Sequence, residues 1–404
     1  MKIKPLLTIK GAVMTPLISI GLVSFLLVGC GKTSEIADTK KEAIGSSEYS
    51  VNVPLGSSKT LTTLYSYPNG QSQSQSLEQT IEHYLNQRLS RDLIGQASVD
   101  VVLKGDNYSA TISGDSKTVD DYSLQLTTFL SNGEVAAGAV KALKKDGKWD
   151  DKDWRFFLPL GLSIVNQRSV QLLHFPPDYS LPDQDYLNSK TSQRWEQLLM
   201  LNQVTAADVT LFESILDVAP IAAPASAGST LSDTYSYFEP YVLKMLPLLL
   251  DIDGGASEAL PIVAYGGPVR DWVKSYYKLT DFGVNTFTQI PITKTDGQFA
   301  NSVSIKAPIL GANHPSYIWY AKDQGHDYAM EVMKQDLISA CWQASMGNDP
   351  KQAGQTVLDT CTTSWDGQPM VVCVNMEIQA FSKTEKEAQK ICESQPKKDA
   401  VVGG

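Results

Sequence analysis

Pro261-Ile262-Val263-Ala264-Tyr265-Gly266-Gly267-Pro268 is the stretch on which the fold turns. Its first five residues form a short apolar run with no polar alternation, which reads as a buried strand. The glycine pair reads as the turn. Pro268, with its preset φ and no N–H to satisfy, reads as the first residue of a helix through Tyr277. A strand that passes through a tight turn into a helix is the repeating unit of an α/β sheet.

The same rhythm extends on both sides. Before it come an apolar run at Val170 to Phe175, closed by Pro176-Pro177, and helices at about Ser192 to Leu201 and Thr205 to Val218, the second capped by Thr205 and Asp208. Ala219 to Ser232, rich in Ala, Pro, Gly and Ser, reads as a mobile loop, and Tyr237 to Ile252 as an apolar helix kinked at Pro247. After it come strands at Asn285 to Ile292 and Ile305 to Gly311, a helix at Tyr328 to Ser345 stopped by Gly347, a strand at Met370 to Phe381 and a helix at Lys383 to Cys392. The expected fold is α/β, with a three-layer, mainly parallel sheet in the second domain.

A small α+β domain is expected ahead of it. Val51 to Tyr67 alternates like one or two strands. Ser76 and Gln79 form a capping box for a helix whose apolar face is Leu77, Ile81, Tyr84, Leu85 and Leu89. A hairpin joins Ala97 to Leu103 with Tyr108 to Ser113 through Lys104-Gly105-Asp106-Asn107. A further helix, Tyr122 to Leu143, ends at Lys144, Lys145 and Gly147. The charged segment Lys144 to Asp153 is the expected domain boundary, which divides the body into residues 51–150 and 151–347, followed by a disulfide-bearing extension, 348–404, packed on the α/β domain.

The N-terminus carries an address. Lys2, Lys4 and Lys10 precede an apolar segment through Ile18, Leu22, Phe25 and Leu27, which is the layout of an export signal over residues 1–29. The segment closes on Leu27-Val28-Gly29-Cys30, which resembles the lipobox of bacterial lipoproteins. That resemblance implies diacylglyceryl on the Cys30 sulfur and an acylated (palmitate-type) amine, several chains acting together as a stable membrane anchor. Gly31 stands where an Asp would mark inner-membrane retention in such lipoproteins. The outer membrane, facing the periplasm or the surface, is therefore the expected location. Residues 30–50, small, polar and charged, read as a tether with about 25 Å of reach.

Without residues 1–29 the chain of 375 residues has 31 basic and 44 acidic side chains and a formal charge of −13. Clustered Lys and Arg, on which phosphate-backbone binding depends, are confined to short pairs, so no nucleic-acid partner is expected. The expected partners are the membrane, through the lipid, and an envelope protein. Cys341, Cys361, Cys373 and Cys392 form an even set in an oxidising compartment and read as two disulfides. Neighbouring pairing, Cys341 with Cys361 and Cys373 with Cys392, closes the shortest loops, although three pairings remain open.

Ligands on open α/β sheets gather at the carboxyl ends of strands. Two such ends stand out: Gly266-Gly267, where the backbone can approach a ligand and helix amides can face an anion, and Gly311-Ala312-Asn313-His314-Pro315-Ser316. The order of Pro261 to Tyr277 and Ile305 to Ser316 resembles the uracil-DNA glycosylase superfamily, over 29 of the 404 residues. The resemblance implies a pocket in which His314 hydrogen-bonds a base with Ser316 beside it. The family's water-positioning first motif is missing. Leu172-Leu173-His174-Phe175-Pro176-Pro177-Asp178-Tyr179 stands at the equivalent strand end and keeps only a Pro and an acid. The candidate pocket is Asp178, Gly266, Gly267, Asn313, His314 and Ser316.

No G-x-S-x-G elbow, H-E-x-x-H or G-K-[ST] phosphate loop occurs in the expected domains, residues 51–404, so no catalytic residue is assigned. Asp251-Ile252-Asp253-Gly254 begins like a calcium loop, but its twelfth position is Ile262 rather than Glu. His314 and His326 flank Asp323 and could ligate a metal with a third group, but a site needs three or four convergent ligands and an exposed His is usually just solvated, so no metal and no cofactor are expected. Two functions follow from these residues: a non-catalytic binding or assembly module of the envelope, or an envelope hydrolase with a glycosylase-like pocket near Asp178, Gly266 and His314.

Overall fold

The computed structural model describes residues 49–65, 97–116, 132–151, 153–156, 167–175, 189–212, 214–250, 259–295 and 302–394, with isolated positions at 82, 119, 120, 123 and 127. Cys30, the capping box at Ser76 and Gln79, and Asp178 lie outside the described residues.

The described chain begins with β1 (Tyr49–Ser57), α1 (Ser58–Tyr65), β2 (Ala97–Lys104), β3 (Asn107–Gly114) and α2 (Gly133–Lys145). The three strands form an antiparallel sheet in the order β1-β3-β2. Its alternation is strict, with Tyr108, Ala110 and Ile112 buried on β3, Val53 and Leu55 on β1, and Val99 and Val101 on β2, as a sheet with one solvated face requires. The second half of the expected strand region is instead the helix α1. Its leucines, Leu61 and Leu64, are three residues apart and both buried, which is helical spacing, and the Ser57 hydroxyl caps its start by accepting from the Thr60 N–H at 3.2 Å.

From residue 155 the order is β4 (Arg155–Phe156), β5 (Val170–Leu173), α3 (Lys190–Leu201), β6 (Ser214–Asp217), β7 (Ile221–Ala222), α4 (Tyr235–Leu250), β8 (Ile262–Tyr265), α5 (Gly267–Tyr276), β9 (Phe287–Thr295), β10 (Ser302–Ala312), α6 (His326–Asn348), α7 (Gly354–Asp366), α8 (Pro369–Phe381) and α9 (Glu385–Ser394). Five of these strands make a mixed sheet in the order β6-β5-β8-β10-β9. The first four run parallel, and β9 runs antiparallel to β10 as an edge. The fold is therefore α/β, with a mostly parallel five-stranded sheet and a smaller antiparallel one. Pro291, which cannot donate to a ladder, sits on the edge strand β9, where a proline is tolerated.

β8 occupies the middle, with all four residues buried. Its side chains alternate between two cores. Ile262 and Ala264 join Leu172, Ile309, Phe238 and Trp272, while Val263 and Tyr265 join Leu310, Trp195, Leu337 and Trp342. Leu64, Ala136, Val140 and Leu143 belong to the first of these cores together with Val242 and Met245 of α4.

Three expected elements differ. Thr205 and Asp208 do form a cap, the Asp208 N–H donating to the Thr205 hydroxyl at 3.2 Å. It opens only a short turn, and the chain then enters the buried strand β6 rather than a long helix. Four fully buried residues show no polar alternation, so periodicity could not separate that strand from a helix. The stretch read as a mobile loop, Ala219 to Ser232, holds β7, paired with β4, and a helical turn at Gly228–Leu231, with Ala219, Ile221, Ala222 and Ala223 buried. Met370 to Phe381, read as a strand, lies in the helix α8. Pro369 stands at its start, and Val372, Cys373, Met376, Glu377 and Ala380 form its buried stripe, so packing at helical period overrides the β-propensity of the valines.

The tightest approach in the sheet is at Gly311. A Cβ there would lie 2.1 Å from the Gly283 carbonyl oxygen and 2.9 Å from Arg270 Cδ. The backbone of 283–286 is laced to this point, with the Asn285 N–H donating to Gly311 O at 2.7 Å and the Gly311 N–H to Thr286 O at 3.1 Å. Gly311→Ala is expected to destabilise the fold by about 3 kcal/mol or more, because backbone must move to admit the methyl. A lowered urea midpoint would show it, and an unchanged midpoint would contradict the packing described.

The four late cysteines pair as neighbours, Cys341 with Cys361 and Cys373 with Cys392. They staple α6 to α7 and α8 to α9. Closing loops of 20 and 19 residues restricts the unfolded chain by about 3 kcal/mol each in the loop-entropy account. Replacing both cysteines of either pair by serine should lower unfolding free energy by about that amount, and non-reduced mass spectra of the wild type should show four hydrogens fewer than the reduced form.

Candidate functional site

β6, β5, β8 and β10 end on the same edge of the sheet, at Asp217, Leu173, Tyr265 and Ala312. The residues that follow three of these ends, His174, Gly266 and Asn313-His314, therefore meet there. Gly266 adopts φ 87°, a conformation that favours glycine. Space is not the reason, since a Cβ would meet only His314 Cβ, at 3.6 Å. Its N–H donates to Ala312 O at 2.9 Å, which fastens the β8 turn to the β10 loop, and Gly267 opens α5.

His314 caps the turn at Pro315–Tyr317. The Ser316 N–H can only donate, so Nδ1 of His314 accepts from it at 3.3 Å and from the Ser316 hydroxyl at 2.7 Å. Burial, helped by His174 and the Arg194 guanidinium, pulls the His314 imidazole down to about 4, so the ring is neutral at pH 7. Asn313 donates to Gln335 Oε1 at 3.0 Å and is held against α6. Arg194 of α3 donates to Pro315 O at 2.6 Å and pairs with Asp336 of α6 at 2.6 Å.

On the other side of Gly266, His174 sits between two partners. Gly228 O can only accept, so Nε2–H donates to it at 2.8 Å, which leaves Nδ1 to accept from the Tyr235 hydroxyl. Burial lowers the His174 imidazole and raises the Tyr235 phenol, the latter further through Asp217 and Asp271. Both groups are therefore uncharged at neutral pH. Beside them lies a cleft of about 510 Å³ whose walls include His174, Ser229, Ser232, Tyr235, Asp271 and Trp272.

The structure thus gathers Gly266, Gly267, Asn313, His314 and Ser316 at one edge, as the shared strand direction predicts. Asp178 lies outside the described residues. The cleft lies toward β5, with Pro268 in its wall but neither His314 nor Ser316. Tyr235, Asp271 and Trp272 were not singled out by the sequence, because they lie on helices where nothing marks them as other than packing residues. Ser229 and Ser232 fell in the stretch read as a loop. Among the described residues no three His, Cys, Asp or Glu side chains are grouped to hold a metal, and no helix is long and apolar enough to cross a membrane.

Chemically, the edge offers the neutral hydrogen-bonding groups His174, Tyr235 and His314, with Asp217 and Asp271 acting on Tyr235. The imidazole of His174 uses both nitrogens, and that of His314 uses Nδ1 to hold a turn. In comparison with known proteins, the chain matches no family model, no curated protein and no solved structure.

The depressed imidazole has a consequence for stability. An unfolded His titrates near 6.5 and the folded His314 near 4, so in that window the unfolded chain binds more protons. The stabilising contribution is whole above pH 6.5 and is lost as pH falls toward 4. His314→Asn retains a turn-capping acceptor and removes the titration. The melting temperature of the wild type should fall on acidification through this window, and that of the variant should fall less; equal slopes would rule out His314 as the source.

Proposed function

We propose that the protein is a bacterial envelope lipoprotein, anchored through lipid on Cys30 at the outer membrane, and that its folded part is a non-catalytic binding or assembly module. Its binding face in this reading is the carboxyl edge of the parallel sheet. One observation carries the choice of binder over enzyme: the proton-accepting nitrogen of each imidazole at the edge is already engaged, His174 Nδ1 by the Tyr235 hydroxyl and His314 Nδ1 by the Ser316 hydroxyl and N–H. A general base works best with a pKa near the working pH, and burial holds both rings below the free imidazole value. The alternation of β8 side chains between two cores supports a three-layer arrangement behind this edge. The paired cysteines and acidic charge are consistent with an oxidising compartment outside the cytoplasm.

The hydrolase reading retains one favourable observation, the 2.7 Å contact between the Ser316 hydroxyl and His314 Nδ1. It is a contact within a single turn, of the kind that caps helices.

The two parts of the proposal are tested separately. In a Gram-negative host given labelled palmitate, the wild type should take up label and fractionate with membranes, and Cys30→Ala should do neither; a labelled Cys30→Ala protein would remove the anchor. A fluorophosphonate probe, which traps activated serines, should leave the wild type unmodified. Labelling that disappears in Ser316→Ala would establish the hydrolase instead.

A further inference from the structure

We propose that the cleft between the Gly228–Leu231 turn and the first turns of α5 binds a neutral saccharide ring. The inference rests on the reading of this sheet edge as a binding face and names the ligand class.

The walls fix the chemistry. At about 510 Å³ the cleft falls in the range of about 300–1,000 Å³ usual for small-molecule sites. Ser229, Ser232 and Ser275 line it; the hydroxyls of Ser229 and Ser275 can donate and accept, and that of Ser232, which donates to Ser229 O at 2.9 Å, is left to accept. Tyr235 gives its proton to His174, which leaves the phenolic oxygen to accept. The tautomer of His174 is fixed by Gly228 O, so this acceptor is set in advance of any ligand. A set of side chains that both donates and accepts, without a cation, matches a ring carrying several hydroxyls.

Charge excludes the main competitors. Asp271 lines the cleft and no Lys or Arg does among the described residues, and Asp217, buried to 3% exposure, adds to the negative field felt at Tyr235. Phosphate and carboxylate ligands therefore meet repulsion without a compensating cation. An ammonium would meet Asp271 as the one carboxylate in the wall among the described residues, and that residue is exposed, where water and salt screen an ion pair strongly.

One wall is aromatic. Trp272 is 7% exposed, lies in the wall and stacks on Tyr276 with ring centroids 5.6 Å apart and planes 17° from parallel. Its indole N–H has no acceptor among the described residues. A sugar ring presents both an apolar C–H face for the indole and hydroxyls for Asp271, the Tyr235 oxygen and the serines.

The test uses the full lipidated chain in a detergent without a sugar headgroup. Titration calorimetry and saturation-transfer NMR are run with N-acetylglucosamine, its β-1,4-linked tetramer and maltotetraose, with glucuronic acid as the anionic and glucosamine as the cationic control. At least one neutral saccharide should bind with Kd of about 1 mM or tighter, glucuronic acid should not, and Asp271→Asn and Ser232→Ala should each weaken binding at least about five-fold, or about 1 kcal/mol, with unchanged melting temperature. The proposal is overturned if no neutral saccharide binds up to about 10 mM, if only glucosamine or glucuronic acid binds, or if both variants bind as the wild type does. Failure here with Cys30-dependent membrane fractionation intact and no fluorophosphonate labelling would leave the envelope binding module standing and remove the saccharide alone.

Discussion

A single buried guanidinium holds the carboxyl edge of the parallel sheet in place. Arg194 is 3% exposed and joins α3 to Asp336 of α6 and to the Pro315 carbonyl in the loop after β10. Burial pushes the Asp336 carboxyl above its usual range despite the guanidinium beside it, and Arg194 Nε has no acceptor among the described residues. A pair so desolvated is a poor source of net stability, and replacing both members by apolar groups is often neutral. Removing one member alone would strand a buried charge, at about 3–5 kcal/mol. What the pair contributes is position, since three separate segments are held by one rigid, planar group.

A second polar network does the same for the centre of the sheet. The Tyr265 hydroxyl at the end of β8 accepts from Trp195 Nε1 at 3.1 Å and donates to Gln343 Oε1 at 2.9 Å, and Gln343 donates onward to the Ser169 hydroxyl at 2.9 Å. Helices α3 and α6 are thereby fixed against β8 and the entry to β5. Together with Gly311, which lets the 283–286 backbone lie directly on β10, these contacts make the framework under the edge stiff. Binding sites built on such a framework lose little entropy when a ligand arrives.

The legible part of this molecule was the part in which local chemistry and tertiary packing agree. The Pro261–Pro268 stretch forms its strand, turn and helix because a buried apolar run, a glycine at positive φ and a proline at a helix start each act locally. That the four late cysteines form two disulfides was legible from their even number, whereas which of the three pairings they adopt was left open, with the neighbouring pairing favoured because it closes short loops. What escaped was decided at a distance. β6 is a four-residue strand only because β5 lies beside it, and α8 is helical only because its stripe meets the second core. Tyr235 joins His174 across 61 residues, and no spacing rule anticipates a contact of that separation. His314 was found because it follows a strand end directly, whereas His174, at the end of β5, became meaningful only with Tyr235 and Gly228 beside it.

The disulfides bear on the edge through α6. Cys341 and Asp336 lie on that helix, and Asp336 with Gln335 holds Arg194 and Asn313. A cross-link acts mainly on the unfolded chain, so the staples add stability without dictating where the loop sits. The loop's position comes from the polar contacts, which cost desolvation. The two devices are therefore complementary: a desolvated pair and partly satisfied groups such as Trp272 and Arg194 Nε lower stability at the edge, and covalent closure of the flanking helices offsets that loss without altering the edge's shape. The staples themselves lie among the helices α6 to α9, whose buried side chains include Trp342, Leu358, Trp365 and Met376 of the second core.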